Sequence, residues 1–220
     1  MTAEKLLEGP RRGPASGSEA SSLVVFLHGL GADGSDLIAL ADPLSQVLPD
    51  TAFVAPDAPF PCDMAPMGRQ WFSLQRHDPE ELLEGARKAA PHINAFLDDE
   101  IARLGLSEDR LALVGFSQGT MMSLYCVLRR PNSCAGIVGF SGLLIAPELL
   151  AAEVVSRPPV LLVHGTDDPV VPFPAMAAAE AGLKAAGIAV TSQARPGLPH
   201  GIDPGGLQLA ADHLEGWLAP

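Results

Sequence analysis

The sequence is poor in cysteine, in aromatic residues and in positive charge. Of its 220 residues three are Cys, 5% are aromatic, and 14 Lys and Arg stand against 26 Asp and Glu, for a formal net charge of −12. An odd number of cysteines without metal-type spacing indicates neither a disulfide framework nor a zinc site, and it favours a reducing compartment. We interpret Cys62, Cys126 and Cys134 as small apolar side chains of the interior.

The shortage of Lys and Arg also argues against a nucleic-acid partner, because affinity for a phosphate backbone depends on basic side chains that displace counterions. No segment approaches the roughly 18 apolar residues that a membrane-spanning helix needs. Residues 1–22 lack the apolar run of a secretory signal. We therefore expect a cytoplasmic protein without a membrane span.

Hydrophobic residues make up 47% of the chain and recur in short runs separated by helical patterns. The strand-like segments are residues 23–27, 52–55, 111–115, 136–140, 160–163 and 188–193, and the helical segments are residues 36–48, 82–104, 118–129, 173–186 and 205–218. Such alternation predicts an α/β domain with a mostly parallel sheet between two helical layers. We assign residues 22–220 to this single domain and residues 1–21 to a partly flexible N-terminal segment.

Two places interrupt these patterns. Pro91 lies inside the helical segment 82–104 and should kink or restart the helix. Residues 56–79 have no clean periodicity, and Met64, Trp71 and Phe72 are too apolar for a solvated linker. We expect this segment to be a folded excursion that covers part of a substrate site. Ordinary packing of the same side chains in the core is the alternative.

A Gly-x-Ser-x-Gly sequence, residues 115–119, directly follows one predicted strand and opens a predicted helix. A serine on such a sharp turn is held in a strained conformation above the sheet, and the flanking glycines let strand and helix approach closely. The helix N-terminus supplies amide donors where an oxyanion would form. Ser117 is therefore the predicted nucleophile. We refer to the predicted turn at residues 115–119 as the elbow.

A serine nucleophile needs a general base and a carboxylate that orients the base, in the chain order Ser, Asp, His for this architecture. Asp167 and Asp168 both follow the predicted strand 160–163, and Pro169 restricts the backbone of Asp168, which we favour. Beyond it, His200 lies in a Gly- and Pro-rich loop, whereas His213 lies on the polar side of the last helix. The predicted triad is Ser117, Asp168 and His200.

The glycine-rich sequence at residues 28–34 admits two interpretations. Its backbone could complement the elbow, with the Leu30 and Gln118 N–H groups as oxyanion donors. It also contains a Gly-x-Gly-x-x-Gly between a strand and a helix, with Asp57 after the next strand, which matches a dinucleotide fingerprint in outline. The second interpretation leaves the predicted triad unexplained.

Five motifs together resemble the carboxylesterase, acyl-protein thioesterase and lysophospholipase branch of the α/β hydrolases. They are His28–Gly34, Trp71–Phe72, Gly115–Gly119, His164–Pro172 and Pro199–Gly201. The resemblance implies an α/β-hydrolase fold and a cofactor-free esterase acting on small esters, lysophospholipids or acyl thioesters. It supports Asp168 as the acid and places the excursion around Trp71 at the acyl pocket.

We complete the predicted substrate pocket with Phe72, Met64 and Val171, beside Trp71. The looser stretch 14–21 and the Met- and Pro-rich stretch 62–68 depart from the family pattern, and the second leaves acyl preference open. A catalytically silent binding protein of the same fold is the main alternative function. The sequence decides neither between ester and thioester nor between monomer and homodimer.

Overall fold

The computed structural model describes residues 6–76 and 78–219, so that residues 1–5 of the predicted N-terminal segment, His77 of the predicted excursion and Pro220 lie outside it. The strands are β1 (Arg11–Arg12), β2 (Ser22–Leu27), β3 (Thr51–Val54), β4 (Phe60–Pro61), β5 (Arg69–Gln70), β6 (Leu111–Phe116), β7 (Gly136–Phe140), β8 (Val160–Gly165) and β9 (Val190–Arg195). The helices are α1 (Gly34–Leu37), α2 (Ala41–Leu44), α3 (Pro79–Leu104), α4 (Gln118–Val127), α5 (Pro147–Glu153), α6 (Pro174–Ala185) and α7 (Pro204–Leu218), with short 3₁₀ helices at Ile38–Leu40 and Glu108–Arg110.

Seven strands form the central sheet in the order β1-β3-β2-β6-β7-β8-β9. Strand β1 is antiparallel to β3, and the other neighbouring pairs are parallel. The six predicted strands are all present, with ends shifted by at most two residues. The expectation of a mostly parallel sheet is confirmed.

Helices cover both faces of this sheet. Val25 and Leu27 of β2 face the cluster that contains the buried side chains of α3, α4 and α6. Val24 and Phe26, which alternate with them along the strand, face the cluster formed with α1, α2 and α7. This alternation produces the predicted three-layer sandwich.

The helices differ from the predicted segments in two places. The segment 36–48 is not one helix but α1, a 3₁₀ turn and α2, because Pro43 has no N–H to continue a regular ladder. Conversely, α3 continues through Pro91 without a restart. The Asp78 side chain caps its N-terminus, and Ala86, Ala89 and Ile93 are buried on both sides of the proline. Packing against the sheet therefore outweighs the hydrogen bond lost at Pro91.

Two small pairings were not predicted. Arg11 of β1 pairs with Val54 at the sheet edge, and its guanidinium forms an ion pair with the fully buried carboxylate of Glu100 on α3. Strands β4 and β5 form an antiparallel hairpin inside the predicted excursion 56–79. The division into a flexible segment 1–21 and a domain stays a prediction. In the described part of the chain, no helix combines the length and the apolar character needed to cross a bilayer.

Candidate active site

Ser117 occupies the sharp turn between β6 and α4. Its backbone has φ 54° and ψ −117°, a conformation that is strained for a residue with a Cβ. The glycines beside it are required by close approach: a Cβ on Gly115 would lie 2.5 Å from the Thr120 amide nitrogen, and one on Gly119 would overlap the Leu27 carbonyl oxygen. The local pattern therefore forms a turn that projects the serine from the sheet.

Asp168 lies in the loop after β8 and is paired with His200. Its Oδ2 lies 2.7 Å from His200 Nδ1, and its Oδ1 accepts hydrogen bonds from the Val170 and Val171 amides at 2.8 and 2.9 Å. Burial opposes ionisation, but the hydrogen bonds from His200, Val171 and Val170 outweigh it and lower the pKa of Asp168. An ionised carboxylate can only accept, so Nδ1 carries the imidazole proton and Nε2 can act as a base.

The competing carboxylate is placed differently. Asp167 is exposed, and its Oδ1 accepts a hydrogen bond from the Thr166 hydroxyl at 2.8 Å. Asp168 is only 8% exposed and is the member of the pair that contacts the imidazole. The rigid backbone imposed by Pro169 is consistent with this difference.

The Asp168–His200 pair lies beside the serine turn. The imidazole of His200 packs against the ring of Phe116 with centroids 4.8 Å apart, and Phe116 directly precedes Ser117. Ser117 follows β6 and Asp168 follows β8, so both lie at the carboxyl edge of the parallel sheet. The structure thus brings all three predicted triad residues to one edge, where catalytic groups of open α/β sheets collect.

The loop after β2 lies against the same turn. A Cβ on Gly29 would be 3.4 Å from the Ser117 Cβ, so the loop passes directly beside the serine. Gly31 has φ 82°, and its amide donates to the Arg69 carbonyl at 2.8 Å. Leu30 lies between these glycines. On the other side, Gln118 is the first residue of α4, where backbone N–H groups have no acceptor within the helix.

The side chain of Gln118 joins this site to the excursion 56–79. Its Oε1 accepts from the Trp71 amide at 2.9 Å, and its Nε2 donates to the Phe72 carbonyl at 2.8 Å. The Trp71 indole N–H donates to the His28 carbonyl at 2.9 Å. These bonds tie the excursion to both loops that carry the predicted oxyanion donors. Sequence reasoning missed this role of Gln118, because nothing in a local pattern indicates its distant partners.

The four predicted pocket residues lie in different surroundings. Trp71 is fully buried in the apolar core, Phe72 borders a cavity of about 400 Å³ with Phe60 and Gln70, and Val171 is buried beside Asp168. Met64 is 54% exposed in the connection between β4 and β5. The assignment of all four residues to a substrate pocket stays a prediction.

Two further histidines support the site and were not assigned a role. His28 is buried, accepts from the Ala58 amide through Nε2 at 3.0 Å, and contacts the Gly29 carbonyl through Nδ1 at 2.7 Å. Burial lowers its pKa. His164 Nε2 lies 2.8 Å from the Val171 carbonyl and 3.3 Å from Asp168 Oδ2. Both rings are thus built into the loops around the triad.

Comparison with known proteins finds carboxylesterases and an acyl-protein thioesterase. A probable carboxylesterase SOBER1-like of Arabidopsis thaliana is 31% identical, over 91% of this chain and 79% of its own length. Acyl-protein thioesterase 1 of Schizosaccharomyces pombe is 33% identical, over 69% of this chain and 70% of its own. The crystal structure of esterase PE8 superposes with a TM-score of 0.93 at 45% identity, covering 97% of this chain and all of that one.

The model of the phospholipase/carboxylesterase family matches residues 14–218, nearly the whole chain. The fold expected from the resemblance is confirmed, because the chain superposes on the esterases PE8 and SOBER1 with TM-scores of 0.93 and 0.77 and has a mostly parallel central sheet with helices on both faces. From its sequence match and its structure alike, the chain belongs to the phospholipase/carboxylesterase family of α/β hydrolases, a family of carboxylic ester hydrolases.

Proposed function

We propose that the protein hydrolyses carboxylic esters or thioesters through a Ser117–His200–Asp168 triad and an acyl-enzyme intermediate. The observation that carries the proposal is the Asp168–His200 hydrogen bond, formed beside a serine in a strained turn. Each element has a physical role: the turn presents the hydroxyl, the carboxylate fixes the imidazole tautomer, and the imidazole moves the proton.

In this mechanism His200 Nε2 takes the proton of Ser117 while the serine oxygen bonds to the carbonyl carbon. The carbonyl oxygen becomes an anion that accepts from the Leu30 and Gln118 amides. Collapse of this intermediate breaks the bond to the leaving group, which receives the proton from His200. A water molecule then repeats the sequence on the acyl-enzyme and releases the acid. Asp168 stays ionised throughout and stabilises the imidazolium.

The choice of oxyanion donors follows from how the neighbouring amides are used. Gly31 N–H donates to Arg69 and Ala32 N–H donates to Gly29, so Leu30 is the residue of this loop that we assign to the oxyanion. Gln118 N–H lies at the start of α4, where the helix dipole also favours negative charge. The excursion 56–79, tied to both loops, would border the acyl group through Phe72, with Met64 and Val171 as further pocket residues.

The proposal is tested by replacing the nucleophile and, in a separate control variant, a second serine. Ser117→Ala should reduce p-nitrophenyl ester hydrolysis by about 10⁴-fold or more while the thermal unfolding midpoint stays near that of the wild type. Ser123→Ala removes another buried serine hydroxyl of the same helix, which donates to the Gly119 carbonyl at 2.8 Å, and should retain activity.

A fluorophosphonate probe gives an independent readout, because the activated serine oxygen displaces fluoride from phosphorus and leaves a covalent label. We expect one label on the peptide that contains Ser117, in the wild type and in Ser123→Ala. Folded wild-type protein that takes no label would favour a silent ligand-binding protein. Near-normal turnover by Ser117→Ala would refute the triad. A chain-length series of matched esters and thioesters then identifies the acyl and leaving-group preference from kcat/KM.

A further inference from the structure

A shallow groove of about 270 Å³ lies at Phe116, the residue whose ring packs against His200, on the face of the sheet covered by α1, α2 and α7. We refer to it as the leaving-group groove, and its lining residues are Asp36, Leu37, Leu40, Phe116 and Ile202. The four apolar members pack together in one hydrophobic cluster of which Leu37 is a buried part. The groove therefore presents an apolar floor with one charged residue at its rim.

The position of the groove follows from residues that touch the triad. Phe116 packs against the His200 imidazole, and its ring also lies beside Gly29, where a Cβ would be 3.1 Å from Phe116 Cδ1. Ile202 is two residues beyond His200. The groove thus shares the Phe116 ring with the surroundings of the base, whereas the cavity lined by Phe72 lies at the excursion on the α3 side.

The proposed reaction assigns different sides of the site to different parts of the substrate. The leaving atom must receive a proton from His200 Nε2, so the leaving group has to lie within hydrogen-bond reach of the imidazole. The carbonyl oxygen instead faces the Leu30 and Gln118 amides. An apolar groove whose Phe116 ring packs against the imidazole is therefore placed to contact the leaving group.

The charge at the rim restricts what this leaving group can be. Asp36 is exposed and carries a negative charge, and the other residues that line the groove within the described part of the chain are not ionisable. Burial lowers the pKa of His28 in the loop after β2, and the hydrogen bond with the Gly29 carbonyl and the charges of Asp57, Asp33 and Asp36 act in the opposite direction. A leaving group that itself bears negative charge would be repelled from this groove, especially at low salt.

From these observations we infer that the leaving-group groove binds the alcohol or thiol part of the substrate and selects uncharged, apolar leaving groups over anionic ones. This inference rests on the proposed triad mechanism and adds the substrate class on its leaving-group side. Thioesters of phosphorylated thiol carriers and esters of carboxylated alcohols would therefore be poor substrates, and esters of aryl or branched alkyl alcohols would be good substrates.

The charge part is tested with two esters that share a butyryl group, p-nitrophenyl butyrate and 3-carboxy-4-nitrophenyl butyrate. Their kcat/KM values report the steps up to acylation, when the leaving group is still present, and intrinsic reactivities cancel when variant and wild type are compared as ratios. Two like charges about 6 Å apart at a solvent-exposed rim, where the effective dielectric constant is about 40–80, repel enough to change this ratio by about three- to tenfold. Asp36→Asn should therefore lower the preference for the neutral ester about three- to tenfold, and Asp36→Lys further. Asp99→Asn, the same charge change on the exposed side of α3, should leave the ratio within about twofold.

The apolar part is tested with 2-naphthyl and methyl butyrate. Leu40→Ala should lower kcat/KM for the naphthyl ester about three- to tenfold relative to the methyl ester, because the small leaving group does not reach the groove wall. Leu207→Ala is the matched control, since Leu207 packs on the same apolar cluster without lining the groove. For this control variant, kcat/KM should change by the same factor for both esters.

The two levels of proposal fail separately. If Ser117→Ala is inactive but Asp36→Asn keeps the wild-type ratio, or Leu40→Ala affects both esters equally, the groove inference is overturned and the triad stands. If Ser117→Ala remains active, the triad itself is refuted and the groove inference falls with it.

Discussion

The second glycine of the elbow, Gly119, allows a sharp test of how close packing produces the site. The main chain of β2 crosses α4 at this point, so a Cβ on Gly119 would overlap the Leu27 carbonyl oxygen and lie 2.8 Å from the His28 carbonyl oxygen. Both obstacles are backbone atoms of a central strand, which cannot move aside like the end of a side chain. Gly119→Ala therefore forces the start of α4, which carries Gln118, away from the end of β2, which leads to Leu30.

The change in folding stability caused by Gly119→Ala is the difference between two opposing effects. Alanine in place of glycine favours a helix by at most about 1 kcal/mol. Overpacking against rigid neighbours costs about 3 kcal/mol, the upper part of the usual range. The net destabilisation should be about 2 kcal/mol or more, a fall of about 4–8 °C in Tm for a domain of this size. Because the proposed oxyanion donors, the Leu30 and Gln118 amides, would move apart, kcat should also fall by about 10²-fold.

Gly216 in α7 is the matched control, because an added Cβ there would have no heavy atom of residues 6–76 or 78–219 within 4 Å. Gly216→Ala should raise Tm by about 1–4 °C through helix propensity alone and leave kcat unchanged. Differential scanning calorimetry and p-nitrophenyl butyrate turnover measure both effects. If Gly119→Ala proves as stable and as active as Gly216→Ala, close backbone approach is not what positions the two loops.

Three further outcomes are expected. Trp71→Phe removes the hydrogen bond to His28 and should cost about 1–3 kcal/mol of stability and reduce kcat more than it changes KM; an unchanged kcat would show that this bond does not position the loop. Burial lowers the folded-state pKa of His28, so the unfolded chain binds its proton more tightly, and stability should fall as pH decreases below about 6.5, by at most about 1.4 kcal/mol per pH unit. His28→Gln should flatten this slope between pH 7 and 5 in urea unfolding, and equal slopes would contradict the assignment. Ser141 has the buried side-chain oxygen without a hydrogen-bond partner among the described residues, so Ser141→Ala should change stability by less than about 0.5 kcal/mol; a loss above about 1 kcal/mol would reveal a partner such as an ordered water.

The parts of the molecule that were predictable from the sequence are those encoded locally. The elbow at Ser117 is specified by five consecutive residues between a strand and a helix. The strands of the sheet are likewise specified by continuous apolar runs. Asp168 and His200 are 32 residues apart, yet the chain order of such triads and the neighbouring Pro169 narrowed the choice. In each case the prediction rested on the sequence of one loop or on the expected order of Ser, Asp and His along the chain.

What escaped prediction depends on contacts between distant segments. The Gln118 side chain bonds to residues 47 and 46 positions away, and Arg11 pairs with a carboxylate 89 positions away. No periodicity reports such contacts. The uninterrupted helix α3 has the same origin, since the local rule for Pro91 is correct in isolation and is overridden by burial of the helix on the sheet.

The glycine sequence of residues 29–34 shows why a motif needs its three-dimensional context. Gly29 lies against Ser117, Gly31 adopts a φ of 82°, and a Cβ on Gly34 would overlap the Ala55 carbonyl oxygen at the end of β3. The Asp57 carboxylate, which the fingerprint would assign to a ribose, accepts from the Gly34 amide at 2.9 Å and so secures the start of α1. Each residue that suggested a nucleotide therefore has a steric or hydrogen-bonding reason within the chain itself. The same spacing arises because a tight strand-to-helix turn demands glycine wherever backbones meet, whether the turn cradles a pyrophosphate or flanks a serine.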